Sequence, residues 1–160
     1  MSKAKNSRKE RFLKSFAQSS LEDVFFEISN RCKFNFSYFD ANQEYATDIE
    51  KLDEKSLQGF FSKLKLYSKH PLSYWQQQCI GSHKNHVLEI YGAFPKNSGF
   101  KYPKHVPSDV DWARFRLDGK KRLVGFTIPK DFCIGDATLN DSTFYIVFLD
   151  LSHKFYLKNK

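Results

Sequence analysis

Three strand-like segments near the end of the printed sequence constrain its fold more than any other feature. They are residues 112–117 (WARFRL), 122–128 (RLVGFTI) and 143–151 (TFYIVFLDL). Asp118 and Gly119 separate the first two, and this dipeptide is a strong signal for a turn between antiparallel strands. The third segment is apolar almost throughout, as expected for a strand that is covered on both faces. The sequence therefore predicts an antiparallel meander of three strands.

The pairing of the first two strands depends on the loop between them. If residues 118–121 form the loop, Phe115 faces Val124, and one side of the hairpin is consistently apolar. If the turn has only two residues, Arg116 pairs with Lys121 instead. The sequence leaves both registers open.

The preceding half of the chain predicts a strand and helices. Residues 33–39 alternate between apolar and polar side chains, as in a half-buried strand. Ser20 is an N-cap candidate for an amphipathic helix that ends near Asn30. Apolar residues between positions 48 and 68 recur at helical spacing, which predicts one long helix or two short ones. We expect an α+β domain over residues 31–160, preceded by a basic N-terminal extension with a short helix over residues 1–30.

The sequence also predicts the secondary structure of three further segments and the burial of both tryptophans. Residues 72–78 favour another helical turn, residues 87–91 a strand, and the polar residues 130–141 an exposed loop. Trp75 and Trp112 are expected in the core.

The positive charge of the chain is unevenly distributed. Its 160 residues have a formal net charge of +8. Residues 1–16 contain six Lys or Arg and one acid, residues 81–160 contain thirteen and eight, and residues 17–80 contain seven and nine. This asymmetry favours a polyanionic partner such as nucleic acid, although a basic surface also suits solubility or a membrane surface.

The cysteines and the hydropathy pattern bear on compartment and cofactors. Cys32, Cys79 and Cys133 lie far apart without metal-ligand spacing, which favours a reducing compartment and three small buried side chains. No apolar run approaches membrane-spanning length and the start of the sequence has no signal-peptide core, so we expect a cytoplasmic protein with no membrane partner. His83 and His86 lack a third ligand candidate, so no metal site is predicted. Dinucleotide, P-loop and nucleophile-elbow motifs are missing, so no cofactor is predicted.

Four charged or titratable side chains come together if the meander forms. Arg114 and Arg116 lie on the first strand, Arg122 begins the second, and His153 follows the third. Arginine binds phosphate through paired planar donors, and imidazole exchanges a proton near neutral pH. This set predicts a phosphodiester-binding site, although Arg114 and Arg116 also suit a solvated strand face that pairs with Asp109 or Asp111.

The order of these elements resembles the RelE/ParE toxin superfamily. The features that carry the resemblance are Arg-x-Arg, a turn, Arg-Leu-Val, and an apolar strand followed by His153, Phe155 and Tyr156. The resemblance implies a small RelE-like α+β domain, with an N-terminal strand and helices packed on the antiparallel C-terminal meander. Residues 1–30 and 81–107 look like additions to the usual family domain.

The superfamily includes ribonucleases that cut messenger RNA, often on the ribosome. The resemblance implies a metal-independent endoribonuclease toxin that inhibits translation, with an antitoxin as partner, or another regulator if the protein serves phage defence. Arg114 or Arg116, together with Arg122, would bind the phosphate; His153 is the candidate general acid and His105 the candidate base. Tyr156 would position or stack on the RNA. Lysines expected to contact RNA are Lys101, Lys104, Lys120, Lys121 and Lys154.

Two functions from other classes fit the same residues. One is a non-catalytic module that binds nucleic acid or the ribosome through the basic sheet. The other is a toxin with a protein target, like the ParE branch of the superfamily, which attacks gyrase. Salt-sensitive RNA binding does not distinguish these functions, because any basic surface shows it.

Overall fold

Five strands form a mixed sheet in the computed structural model, which describes residues 7–16, 19–81, 85–134 and 139–157. The strands of this sheet are β1 (Lys33–Asn35), β4 (Leu88–Gly92), β5 (Asp111–Arg116), β6 (Arg122–Thr127) and β7 (Thr143–Asp150). Their order is β1-β7-β6-β5-β4, with β1 parallel to β7 and the other pairs antiparallel. A separate ribbon pairs β2 (Cys79–Ile80) with β3 (Asn85–His86). The predicted α+β class and the meander β5-β6-β7 are confirmed.

The helices precede most of the sheet in the sequence. They are α1 (Ser7–Lys14), α2 (Leu21–Asn30), a 3₁₀ turn (Ile49–Lys51), α3 (Glu54–Tyr67), α4 (Leu72–Gln77) and α5 (Lys130–Cys133). Asp53 begins α3 by accepting a hydrogen bond from the backbone N–H of Ser56 at 2.7 Å. Among the described residues, no helix has the length and apolar character needed to cross a membrane.

The contacts divide the chain into two units, Met1–Asn30 and Arg31–Lys160. In the first unit, α2 begins at a reciprocal cap: the backbone N–H of Ser20 donates to the Asp23 carboxylate at 2.7 Å, and the Asp23 N–H donates to the Ser20 hydroxyl. The predicted start and end of this helix are therefore confirmed. The sheet lies in the second unit.

The two faces of the sheet bury separate apolar clusters. The helix-side cluster joins α3 and α4 to the sheet; its members include Phe60, Leu64, Tyr67, Leu72, Trp75, Ala113, Phe115, Leu123, Phe144, Ile146 and Leu149. The loop-side cluster is covered by the segment between β4 and β5 and by the residues after β7; its members are Phe100, Val106, Trp112, Val124, Phe126, Val147, Phe148 and Phe155. The expected burial of both tryptophans is confirmed.

The hairpin between β5 and β6 adopts neither of the two registers expected from the sequence. Arg116 pairs with Arg122 and Phe115 with Leu123, across a loop in which Gly119 has a positive φ of 52°. The loop closes through the Leu117 N–H, which donates to the Lys121 carbonyl at 3.0 Å. Because side chains alternate along a strand, Arg114, Arg116 and Arg122 share the loop-side face.

A bulge in β7 changes which side chains face which cluster. β7 carries an extra residue, Val147, in its pairing with β6. Ile146 before the bulge belongs to the helix-side cluster, whereas Phe148 after it belongs to the loop-side cluster. The bulge therefore turns Asp150 to the same side of the sheet as the arginines.

Several local predictions were wrong. The first strand ends at Asn35 rather than Phe39, because the Asn35 side chain accepts a hydrogen bond from the Ser37 N–H at 2.8 Å and turns the chain. The expected loop after β6 begins with α5. Cys32 is buried as predicted, but Cys79 is exposed.

Candidate functional site

One small recess at the hairpin end of the sheet collects most of the predicted site residues. It is lined by Tyr91, Arg114, Arg122, Asp150, His153, Phe155 and Tyr156. The residues come from β4, β5, β6, the end of β7 and the turn that follows it. Arg114, Arg122, His153 and Tyr156 were predicted from the sequence, and the structure brings all four together.

Arg122 is a buried cation in this recess whose donors are only partly used. Its side chain is 5 % exposed, and Nη1 donates to the carbonyls of Gly119 and Lys121 at 2.8 and 2.9 Å. The Nε atom is buried and has no hydrogen-bond partner among the described residues. Burial, followed by the charges of Arg114 and Arg116, lowers the pKa of Arg122 to about 10. Arg122 therefore stays charged at neutral pH and would be stabilised by an anion in the recess.

Arg114 is held in place by three different partners. Its Nη2 forms an ion pair with Glu89 at 2.5 Å, Nη1 donates to the His86 carbonyl at 3.1 Å, and Nε donates to the Tyr91 hydroxyl at 3.2 Å. Glu89 lies directly across from Arg114 in the β4–β5 pairing. Arg114 is therefore fixed at one side of the recess, and its acidic partner is on β4 rather than at the Asp109 or Asp111 expected from the sequence.

His153 lies in the turn after β7 with an uncommon backbone conformation. Its φ of 58° is the one positive value of a non-glycine residue in the described parts of the chain. Burial, followed by the charge of Arg122, lowers the pKa of His153 below its ordinary value of 6.5. The imidazole is consequently neutral in the free protein at neutral pH, and a bound anion would raise its pKa by offsetting the arginine charges.

Two tyrosine rings form one wall of the recess. Tyr91 and Tyr156 stack with an interplanar angle of 3° and a centroid separation of 4.9 Å. Burial raises the pKa of Tyr91, so its hydroxyl stays protonated. Tyr156 is 43 % exposed, which leaves one ring of the pair open to solvent.

Arg116 and the lysines lie outside the residues that line the recess. Arg116 is half-buried on the same sheet face, and its charge contributes to the low pKa of Arg122. Lys120 and Lys121 belong to the hairpin loop whose carbonyls bind Arg122, and Lys154 follows His153. Lys101 and Lys104 are exposed in the segment before β5. Lys154 Nζ lies 5.6 Å from the centroid of the Tyr45 ring.

His105 is not brought into the recess. Its Nε2 lies 3.1 Å from the Tyr38 carbonyl oxygen, and its ring stacks on Tyr38, which in turn contacts Phe126. Phe126 is four residues from Arg122 along β6, or roughly 13 Å at the rise of a strand. The structure therefore separates His105 from Arg122 and His153, contrary to the expectation that it acts as their general base.

Sequence reasoning missed three residues of this site. Glu89 and Tyr91 lie on β4, and strand pairing between β4 and β5 has no local signal comparable to the Asp118-Gly119 turn. Asp150 lies at the end of β7, and it faces the recess only because of the bulge in that strand. The alternation of Glu89 and Tyr91 along β4 is the signal that places both on the face of Arg114.

The remaining histidines and cysteines do not form a metal site in the described part of the chain. Within the described ranges, no group of three or more His, Cys, Asp or Glu side chains is arranged to hold a metal ion. His83 lies outside the described residues. His86 Nδ1 lies 3.7 Å from the Cys79 sulfur on the small ribbon.

Comparison of the chain with protein-family models, with curated proteins and with solved structures gives no match.

Proposed function

We propose that this protein is a metal-independent endoribonuclease of the RelE-like toxin class that cuts messenger RNA on the ribosome. The observation that carries the proposal is the convergence of Arg114, Arg122 and His153 in one recess, where the buried Nε of Arg122 has no hydrogen-bond partner in the described part of the chain. A phosphodiester supplies negative charge for the two guanidinium groups and acceptor oxygens for their N–H donors. The imidazole beside them supplies the proton transfer that strand cleavage requires.

The fold and the charge distribution give additional support. An α+β domain in which an N-terminal strand joins a C-terminal meander accords with the family resemblance of the sequence. Thirteen Lys or Arg residues against eight acids in residues 81–160 favour an RNA partner. A protein that covers this basic recess, such as an antitoxin, is the natural regulator of the proposed activity.

The proposed reaction uses a nucleophile from the RNA itself. The 2′-hydroxyl attacks the adjacent phosphorus and releases its proton to water, the bond from phosphorus to the 5′-oxygen breaks, and protonated His153 donates a proton to that oxygen. The products are a 2′,3′-cyclic phosphate and a 5′-hydroxyl. Arg114 and Arg122 stabilise the charge on the phosphorane, and one well-placed donor contributes about 3 kcal/mol to such a transition state. Tyr156 positions the RNA at the rim.

Expression of the protein and of the Arg122→Ala/His153→Ala double variant tests the proposal. We expect the wild type to arrest growth and to produce discrete new 5′-hydroxyl ends in translated messages, and the double variant to do neither. Lys65→Ala, which removes an exposed charge from α3, is the matched control and should behave like the wild type. Arrest without RNA cuts would indicate a protein target, and no arrest would indicate a binding module.

The pH dependence of cleavage tests the role of His153. A general acid must be protonated, so cleavage should decline as the pH rises through the His153 pKa. Because that pKa is lowered in the free protein, kcat/KM for a model RNA should decline with a midpoint below about 6.5. The descending limb should vanish in His153→Ala. An ascending limb in its place would assign His153 to removal of the 2′-hydroxyl proton.

A further inference from the structure

The Asp150 carboxyl group organises the turn that carries His153. Oδ2 accepts the backbone N–H groups of Lys154 and Phe155 at 2.8 and 2.9 Å, and Oδ1 accepts that of Ser152 at 3.1 Å. Asp150 is fully buried, with 0 % exposure. Three backbone donors on one buried side chain define the path of the chain on both sides of His153.

We infer that Asp150 is a positioning residue for His153, which holds the imidazole in the recess beside Arg122. The inference rests on the proposed function for the role of His153 in cleavage. A left-handed backbone conformation is unfavourable at a residue with a Cβ, so the surrounding structure must stabilise it. At His153 the three hydrogen bonds to Asp150 provide that stabilisation.

The placement of Asp150 also shows that its carboxyl group is directed to the turn. Asp150 is the register partner of Arg122 in the β6–β7 pair, yet among the described residues it forms no ion pair with that guanidinium. Its oxygens point instead to the backbone of residues 152–155. Asp150 therefore acts on His153 through the geometry of the turn as well as through its charge.

The charged groups near His153 allow the effect of Asp150 on the geometry of the turn to be separated from the effect of its charge. Burial and the positive charges of Arg122 and Arg114 lower the His153 pKa, and the charge of Asp150 raises it. If Asp150 acted only through its charge, removing that charge would lower the His153 pKa further. If Asp150 holds the imidazole in the recess, the same change exposes His153 to water and moves its pKa up towards 6.5.

Asp150→Asn and Asp150→Glu in the full-length chain are the test variants. Asparagine keeps the size but turns an amide donor towards at least one backbone N–H, and glutamate keeps the charge but moves the oxygens by one methylene. Ser152→Ala is the matched control, because it changes an exposed side chain of the same turn and keeps all three backbone donors. Thermal unfolding of each variant establishes that it is folded.

The expected kinetic result is a loss of rate without a loss of binding. Asp150→Asn should lower the single-turnover cleavage rate about 10²-fold and leave the affinity for a 2′-deoxy, uncleavable RNA unchanged within about twofold. Asp150→Glu should not restore the rate, and Ser152→Ala should match the wild type. In a His153→Ala background, Asp150→Asn should cause little further loss, because both changes remove the same group. An equal loss in that background would overturn the inference.

Titration of the His153 imidazole by NMR decides the inference without any cleavage. The signal is identified by its absence in His153→Ala. A pKa that rises towards 6.5 in both Asp150 variants supports positioning, and a pKa that falls or does not change in Asp150→Asn contradicts it. If the wild type cleaves no RNA, the proposed function fails, while the NMR result still shows whether Asp150 holds His153. If Asp150→Asn is unfolded, the Asp150→Glu titration gives the decision.

Discussion

The burial of Arg122 is not explained by a contribution to the stability of the fold. Its guanidinium is buried and has a lowered pKa, and its Nε has no hydrogen-bond partner among the residues that the structure describes. Desolvation of such a cation is unfavourable unless every donor is satisfied. Arg114, by contrast, is fully engaged by Glu89, Tyr91 and the His86 carbonyl. Partners therefore hold Arg114 in a fixed position, whereas the hydrogen bonds that Arg122 forms among the described residues do not account for its burial.

Arg122→Met should therefore abolish the proposed activity without unfolding the protein. The apolar chain fills similar space and removes the desolvated charge. The two carbonyls that lose their donor belong to the largely exposed hairpin loop, where water can replace it. We therefore expect the free energy of unfolding to change by less than about 1 kcal/mol. Cleavage of RNA should fall by at least about 10²-fold. Urea unfolding and single-turnover cleavage measure the two effects. A loss of stability above about 2 kcal/mol would instead assign Arg122 a structural role.

Arg114→Met is the comparison for this experiment. It leaves the Tyr91 hydroxyl and the His86 carbonyl without their donor, so it should destabilise the fold more than Arg122→Met does. The loss of the ion pair with Glu89 should add little to the loss of stability, because the Glu89 side chain is 43 % exposed and water can solvate its carboxylate.

At the scale of elements, the bulge in β7 decides which residues reach the recess. Without the extra residue at Val147, Asp150 would continue the alternation of Ile146 and face the helices. Gly125 lies on β6 at the site of this irregularity. A Cβ there would collide with the Tyr145 carbonyl oxygen and approach the Phe144 ring. The missing side chain of Gly125 thus permits the close approach of β6 and β7.

Gly125→Ala should consequently destabilise the sheet. We expect a loss of at least about 2 kcal/mol, because the backbone of β7 must move to admit the methyl group. Gly119→Ala is the control: the φ of Gly119 is positive, but nothing lies within 4 Å of a Cβ at this position, so only the cost of about 1 kcal/mol for the backbone conformation is expected. Equal unfolding free energies for the two variants would contradict the role assigned to Gly125.

The same elements show why the sequence predicts part of this site. The proximity of Arg114, Arg122 and His153 could be predicted, because the turn signal at Asp118-Gly119 and the clear ends of the strands show which residues are neighbours in the sheet. The bulge in β7 could not be predicted from the sequence. Because β7 is apolar on both faces, its sequence does not show which side chains point to which face. His105 could not be placed, because its loop is held by aromatic contacts between distant segments, such as the stacking on Tyr38. The register of the hairpin depended on the conformation at Gly119, which the sequence leaves open.

At the scale of the whole molecule, the two faces of the sheet are covered by different kinds of structure. α3 and α4 pack on one face, while the other face is covered mainly by the segment between β4 and β5 and by the residues after β7. The recess lies on the second face, where short turns rather than helices surround it. A site bordered by turns can admit a long polymer such as RNA more readily than one closed by packed helices.

This separation places each of the two tryptophans in a different cluster. Trp75 lies in the helix-side cluster, where its indole N–H donates to the Tyr67 carbonyl at 2.7 Å. Trp112 lies in the loop-side cluster against Phe155, and its indole N–H has no partner among the described residues. The chain thus contains two tryptophan fluorophores, one for each face of the sheet. With Trp75 replaced by Phe, emission from Trp112 would report on the face that carries the recess, and the converse replacement would report on the helices.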